Sequence, residues 1–431
     1  MKTTLRKIIS FILKIESRLV LYKYKPKIIA ITGSVGKTST KDAIYAVISK
    51  NYYVRKSEKS YNSELGLPLT ILGCTNAWNS PTGWSVNILK GLWLFLWPHK
   101  YPKWLVLEVG VGKPGDMRET ASWLRTDVVV ITAIGETPAH IEFFESRKHL
   151  IEEKSGLVRT LKKDGLLILN MDDEAMLEMK EKTRNLIITY GWKEGSDILG
   201  SGENIFYGEG TGPEGIIFRA DVGGTSLPVV VEGVFGRNHI YAGLAALALS
   251  YGYKWNIIEA VEALKDYDVP PGRMRLLHGI NDTLIVDDTY NSSPFACESA
   301  LRTLSGVKCM GRRIAVLGDM LELGKYTIEA HKSIGNLVKE SVDILVVVGP
   351  RAQAIKEGAQ ESGMSEENIF EFTNSKEAGE FIKTFIQKGD LVLVKGSQGM
   401  RMERVVGEIL MDQKNKFKLL VRQDPEWLKK E

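Results

Sequence analysis

Residues 27–40 read KIIAITGSVGKTST: Lys27-Ile28-Ile29-Ala30-Ile31-Thr32, then Gly33-Ser34-Val35-Gly36, then Lys37-Thr38-Ser39-Thr40. The first six residues form a short, isoleucine-rich run of the kind a buried parallel strand uses. A glycine turn follows, and from Lys37 to Ser49 the apolar spacing is helical. Strand, glycine turn and helix in that order make a phosphate cradle. Glycines let backbone N–H groups approach phosphate oxygens, and the helix N-terminus adds a positive dipole. Residues Gly33 to Ser39 are therefore expected at a nucleotide triphosphate, with Lys37 reaching the β- and γ-phosphates and the Thr38 hydroxyl on Mg²⁺. Strict spacing would place a glycine at position 31, where this chain has Ile31, so the loop is a shortened form.

Outward from this loop the chain alternates between strand and helix. Residues 104–108 (WLVLE), 127–132 (DVVVIT), 165–170 (GLLILN) and 185–190 (NLIITY) read as strands, and 145–161 and 173–182 as helices. This alternation predicts an α/β fold with a mostly parallel sheet covered on both faces. Residues 196–232 are glycine-rich with short alternating runs, which predicts a small antiparallel patch attached to that sheet. Helices are expected at 238–251 and 255–265. Val269-Pro270-Pro271-Gly272 is the strongest break in the chain. Beyond it, strands at 284–287, 312–317, 344–348 and 391–394 predict a second, Rossmann-like α/β domain. The expected division is an N-terminal amphipathic helix in 1–26, a central ATP-binding domain in 27–271 and a C-terminal domain in 272–431.

Composition fits this picture. The chain has 431 residues, with 44% apolar and 26% charged side chains, which argues against disorder. Its 57 basic and 53 acidic residues leave a formal charge of +4, too small an excess to call for nucleic acid. Three cysteines, Cys74, Cys297 and Cys309, are too few and scattered for a disulfide framework, and they fit a reducing compartment such as the cytoplasm. No apolar run is long enough to span a bilayer.

Two segments stand apart. Residues 4–22 read as an amphipathic helix ending in Lys23, Lys25 and Lys27; it either packs on the next domain or attaches to an anionic membrane surface. Residues 84–97 (WSVNILKGLWLFLW) either bury against the sheet or a second copy, or form an interfacial face. If both face a membrane, the protein sits at its inner face.

Three further residues are candidates for chemistry. Glu108 ends a strand, where ligands collect in open α/β sheets, and is either an exposed carboxylate or a Mg²⁺ ligand. His140 follows the strand at 127–132 and reads equally as structural or as a ligand. Lys154, beside Glu152 and Glu153, reads from periodicity as a solvated charge.

A series of short motifs now joins these residues. Gly33–Thr38 with Thr40, Tyr61-Asn62-Ser63-Glu64-Leu65-Gly66-Leu67-Pro68-Leu69-Thr70, Glu108-Val109-Gly110 and Asn170 with Asp172-Asp173 come first. Gly272-Arg273-Met274, Asp287-Asp288-Thr289-Tyr290-Asn291, Gly318-Asp319-Met320 with Glu322-Leu323-Gly324, and Lys395-Gly396-Ser397 follow. Together, over roughly residues 28–411, they resemble the ATP-dependent Mur ligases, most closely the branch that adds D-alanyl-D-alanine to a muramoyl tripeptide. The resemblance implies ATP, two Mg²⁺ ions, and metal ligation by Thr38, Glu108, His140 and Lys154, the last as a carbamate. It places Lys37, Lys154, His140 and Glu108 in catalysis, and Asn62 and Ser63 at the muramoyl-peptide acceptor. It sets Arg273 and Asp288 on the nucleotide, the aspartate on ribose, and Asn291, Lys395 and Ser397 near the incoming amine. The family's Gly-x-His-Asn signature stands here as Gly236-Arg237-Asn238-His239, so Asn238 and His239 are both candidates for the adenine contact. On this resemblance the family's N-terminal UDP-binding domain is expected to be lacking, with some 26 residues before the first strand, and if 4–22 and 84–97 both face a membrane the expected acceptor is lipid-linked rather than a free nucleotide.

The implied reaction is amide formation through an acyl phosphate. The alternatives are a folylpolyglutamate- or cyanophycin-type ligase, a membrane-associated P-loop ATPase, and an idle scaffold. Composition and motifs leave the oligomeric state open.

Overall fold

The computed structural model describes residues 3–58, 61–135, 143–208 and 212–429. The first sheet grows around β1 (Lys27–Thr32), whose five residues after Lys27 are all buried. Ile29 and Ile31 face one hydrophobic core, and Ile28 and Ala30 the other. A strand buried on both faces needs apolar residues at every position, and that is why KIIAIT shows no alternation.

Strand β1 pairs in parallel with β3 (Trp104–Glu108) on one side and β4 (Thr126–Ile131) on the other. The order is completed by β2 (Val54–Lys56) at one edge and by β5 (Leu161–Asn170), β6 (Leu186–Gly191), β7 (Ile198–Tyr207), β8 (Pro213–Val222) and β9 (Thr225–Glu232) toward the other. Pairing is parallel up to β7, which meets β6 over only Tyr190↔Ile198 and Gly191↔Leu199, and then antiparallel through β8 and β9. The expected antiparallel patch is thus an extension of the main sheet.

Helix α1 (Thr3–Tyr24) precedes β1, and α2 (Lys37–Ser49) follows the glycine loop. Next come α3 (Gly66–Leu72), α4 (Pro81–Leu96), α5 (Asp116–Trp123), α6 (Arg147–Ser155), α7 (Ala175–Lys180) and α8 (Arg237–Gly252). Helices α2 and α8 pack together over one face of the sheet. Side chains of α1, α3, α5 and α6 build the core on the opposite face.

The chain then enters a second sheet, ordered β10-β11-β15-β12-β13-β14. It comprises β10 (Arg275–His278), β11 (Leu284–Asp288), β12 (Arg313–Gly318), β13 (Ile344–Val348), β14 (Ile369–Phe372) and β15 (Leu391–Lys395). All pairs are parallel except β10 with β11. The two sheets are stitched where Phe235 N–H donates to Met274 O (3.0 Å) and Leu276 N–H to Gly233 O (2.9 Å).

Sequence periodicity misses β2, β10 and β14. Each lies at a sheet edge and has three or four residues. An edge strand is covered less completely, so it carries no long apolar run to detect. The helix expected at 145–161 divides: α6 stops at Ser155, a 3₁₀ turn covers Gly156–Thr160, and Leu161 already belongs to β5.

Candidate active site

Strands β1, β3 and β4 are neighbours, and their carboxyl ends meet at the glycine loop. Thr132, just past β4, donates its hydroxyl to Val35 O (2.6 Å) and Thr32 O (3.2 Å). Ser34 and Val35 N–H both donate to Ala133 O (2.8 and 3.1 Å). This strapping forces Gly33: a Cβ there would lie 2.0 Å from Thr132 Oγ1, at φ +146°. The Ser34 and Val35 amides are thereby engaged by the neighbouring strand. The donors left for an anion are the first-turn amides of α2, from Lys37 to Ser39, which have no intrahelical acceptor.

The Lys37 ammonium curls back onto Gly33 O (2.8 Å) and Ser34 O (3.3 Å). Lys154, from α6, donates to the same Gly33 O (3.1 Å). Lys154 is 2% exposed, so the solvated-charge reading fails. It shares the inner face of its helix with Leu150 and Ile151, a spacing of three and four that the sequence does display. Burial pushes the Lys154 amine well below its ordinary range, and the nearby Lys37 charge adds to that. Lys37 is also lowered by burial, with Glu108 opposing.

Glu108 is buried as well, which excludes the exposed strand-end reading. One carboxylate oxygen accepts from Thr38 Oγ1 (2.9 Å) and the other from Asn62 Nδ2 (3.1 Å). Gly110 N–H donates to Asn62 O (2.8 Å), so the acceptor loop hangs directly on the end of β3. Ser63 is exposed beside it, with its carbonyl accepting from Leu67 N–H (3.2 Å). Thr38, Glu108, Asn62, Lys37 and Lys154 therefore converge. His140 lies outside the described residues. Among those described, no three His, Cys, Asp or Glu side chains gather into a metal cluster.

On the far side, Arg273 stacks its guanidinium 3.9 Å over the Tyr290 ring, and its charge reaches Lys37 across the domain junction. Asp288 is nearly buried and pairs with the Lys395 ammonium (2.5 Å), which also donates to Asn291 O (3.0 Å). The resemblance assigned this aspartate and this lysine to different ligands; the structure joins them to each other. Ser397 Oγ accepts from Leu321 N–H (2.8 Å) and donates weakly to Ser292 O (3.4 Å). His239 has both ring nitrogens engaged, Nδ1 with Tyr267 Oη (2.9 Å) and Nε2 with Arg273 O (2.7 Å). Burial lowers its pKa to about 4, which makes it a neutral structural imidazole. Asn238, half-buried on the first turn of α8, is left as the adenine candidate.

Three residues were not foreseen. Ser57 Oγ accepts from the Glu108 backbone N–H (3.1 Å) and fixes the main chain at the end of β3. Thr132 straps the loop. Asp287 accepts from Gly272 N–H (3.1 Å) and from Thr289 Oγ1 (2.6 Å), clamping the turn between the sheets; burial raises its carboxyl to about 6. Asp287 stood in a quoted motif, but its hinge role needs the fold. Ser57 and Thr132 carry no sequence signal beyond following β2 and β4.

The residues fit a nucleoside triphosphate with its magnesium. Ser34 Oγ and Arg273 Nε are buried without hydrogen-bond partners at the site, and phosphate oxygens would satisfy both. The Thr38 hydroxyl and the Glu108 carboxylate are oxygen donors of the kind Mg²⁺ prefers.

The Mur ligase middle domain matches residues 31–249, and the Mur ligase glutamate ligase domain matches 272–398. UDP-N-acetylmuramoyl-tripeptide–D-alanyl-D-alanine ligase of Bacillus subtilis (strain 168) is 28% identical over 385 residues, covering 89% of this chain and 76% of that protein. The crystal structure of MurF ligase from Thermotoga maritima in complex with ADP superposes with a TM-score of 0.75 at 25% identity, covering 95% of this chain and 84% of that one. Folylpolyglutamate synthase of Mycobacterium tuberculosis shares the fold, with a TM-score of 0.61 at 14% identity over 90% of this chain and 93% of that one.

Proposed function

Since this chain belongs to the Mur ligase family, we propose that it joins D-alanyl-D-alanine to a muramoyl peptide by ATP-dependent amide formation. A carboxylate oxygen of the acceptor attacks the γ-phosphorus and displaces ADP, giving an acyl phosphate. The dipeptide amine then attacks the acyl carbon, the C–O bond to phosphate breaks, and the nitrogen loses a proton. The relatives named D-alanyl-D-alanine ligases support this reading over the folylpolyglutamate type, which matches in fold alone.

One observation carries it: the Lys37 and Lys154 amines meet at Gly33 O beside the Thr38–Glu108 hydrogen bond. Lys37 and the first-turn amides of α2 balance charge that develops on the transferred phosphoryl group. Two Mg²⁺ ions would be held by Thr38, Glu108, His140 and a carbamylated Lys154, and would supply charge neutralisation along the triphosphate. Burial favours the neutral Lys154 amine, the form that adds carbon dioxide, which supports the carbamate. Asn62 and Ser63 orient the acceptor. Asn238, Arg273 and Asp288 bind the nucleotide, and Asn291, Lys395 and Ser397 receive the dipeptide. The proposal divides the chain into a helix in 1–26, a central domain in 27–271 and a C-terminal domain in 272–431, working in the cytoplasm at the inner face of a membrane.

The test is phosphate release from ATP with a panel of muramoyl peptides, with and without D-alanyl-D-alanine. Release that requires both substrates and yields the amide supports the ligase. Equal release without the amine would return the protein to the P-loop ATPase class.

A further inference from the structure

Helices α1 and α4 lie side by side and run in the same direction. Glu16 of α1 faces Gly91 of α4, where a Cβ would be 2.1 Å from its carboxylate, and one to two turns later Lys23 donates to the carbonyls of Phe95 and Trp97 (both 2.7 Å). Each helix buries one face. Ile9, Leu13 and Val20 of α1, with Trp84 of α4, enter the core of the first domain.

The opposite faces stay apolar. On α1, Leu5, Ile8, Phe11 and Ile15 are 41–63% exposed, at helical spacing. On α4, Val86, Leu89, Trp93 and Leu96 are 51–65% exposed, again along one stripe. No helix among the described residues is long and apolar enough to cross a membrane. Such a pair of stripes lies on a surface instead.

Charge selects the surface. Residues 3–27 and 75–104 together hold ten Lys and Arg residues and a single acid, Glu16, which is buried; Lys14 pairs with Glu119 and Lys23 caps the end of α4, while Arg6, Lys7, Arg18 and Lys25 are exposed. A second copy would bring this basic surplus against its own sign. A negatively charged lipid surface would neutralise them while its acyl region accepts the apolar stripes. We infer that the outer faces of α1 and α4 form one peripheral docking surface for an anionic lipid bilayer.

Docking would also orient the catalytic domain. Ser10 of α1 donates to Glu64 (2.6 Å), next to Ser63 and Asn62 in the acceptor loop, so that loop is held on the side of the docking helices. The membrane contact named above is thereby given its residues and its lipid class. It is independent of the ligase chemistry, because docking is read with no substrate present.

The experiment is co-sedimentation of the full chain with phosphatidylcholine vesicles, with and without phosphatidylglycerol, at low and high salt. We expect binding to the anionic vesicles to be about tenfold or more tighter than to the neutral ones and to weaken with salt. The triple variant Phe11→Glu, Leu89→Glu, Trp93→Glu should lose about tenfold or more in binding while keeping phosphate release on soluble substrates. Wild-type protein that ignores anionic vesicles would overturn the inference, as would a folded triple variant that binds equally. Equal binding to neutral vesicles would leave membrane contact standing but remove the anionic selectivity. A dimer in light scattering that the triple variant dissociates would assign the face to a second copy.

Discussion

Glu16 offers a quantitative test of the helix pair. It is 3% exposed, and neither carboxylate oxygen has a hydrogen-bond partner. Burial raises its pKa from the ordinary 4.5 to about 7. A carboxyl group whose folded pKa lies above its unfolded one stabilises the fold below about pH 4.5, and that contribution is lost as pH rises through about 7. The gap between the two values corresponds to about 3 kcal/mol. Glu16→Gln keeps the shape and removes the titration. The stability of the variant minus that of the wild type should therefore rise by about 3 kcal/mol from pH 4.5 to pH 8. Urea unfolding followed by tryptophan fluorescence reads this directly, because Trp84, Trp93 and Trp97 sit on or beside α4. A difference that stays flat across that range would refute a buried, unpaired Glu16, and with it the close packing of α1 on Gly91.

Other outcomes follow from the site. Lys37→Ala should abolish ATP turnover in a coupled ADP assay, and Lys154→Ala should do the same with partial recovery on adding short carboxylates; full activity of Lys154→Ala without additives would remove the carbamate. Lys395→Met leaves Asp288 buried without its counter-charge and should cost about 3–5 kcal/mol, read as a lowered melting temperature that Asp288→Asn partly restores. Trp427 packs edge-on to Trp78 at 6.2 Å and joins the C-terminal segment to the first domain. Trp427→Ala should raise the KM for ATP about threefold to tenfold, in line with about 1 kcal/mol for an aromatic pair.

Much of this arrangement is legible in the sequence because it is local. The order of strand, glycine turn and helix at 27–49 is written in consecutive residues, and β1 and α2 fall where periodicity places them. Strands β3 and β13 are likewise read at their true limits, since strands buried on both faces are apolar throughout, save for the Glu108 that ends β3. What escapes is pairing between distant residues. Asp288 and Lys395 are 107 positions apart, and nothing near either one announces the other. His239 looks like a ligand until Tyr267 and the Arg273 carbonyl are seen to occupy both nitrogens. Lys154 looks solvated because its neighbours Glu152 and Glu153 are acidic, yet the helix turns it inward with Leu150. Periodicity left the α1 and α4 faces open between burial and exposure. Each helix does both, one face in the core and one to solvent.

In the proposed reaction the acceptor carboxylate becomes an acyl phosphate before the amine arrives. Labelling both oxygens of that carboxylate with ¹⁸O and analysing the released phosphate by mass spectrometry tests it most directly. Transfer of one ¹⁸O to each phosphate, with the other kept in the amide, is the predicted result. Phosphate carrying only solvent or nucleotide oxygen would contradict it.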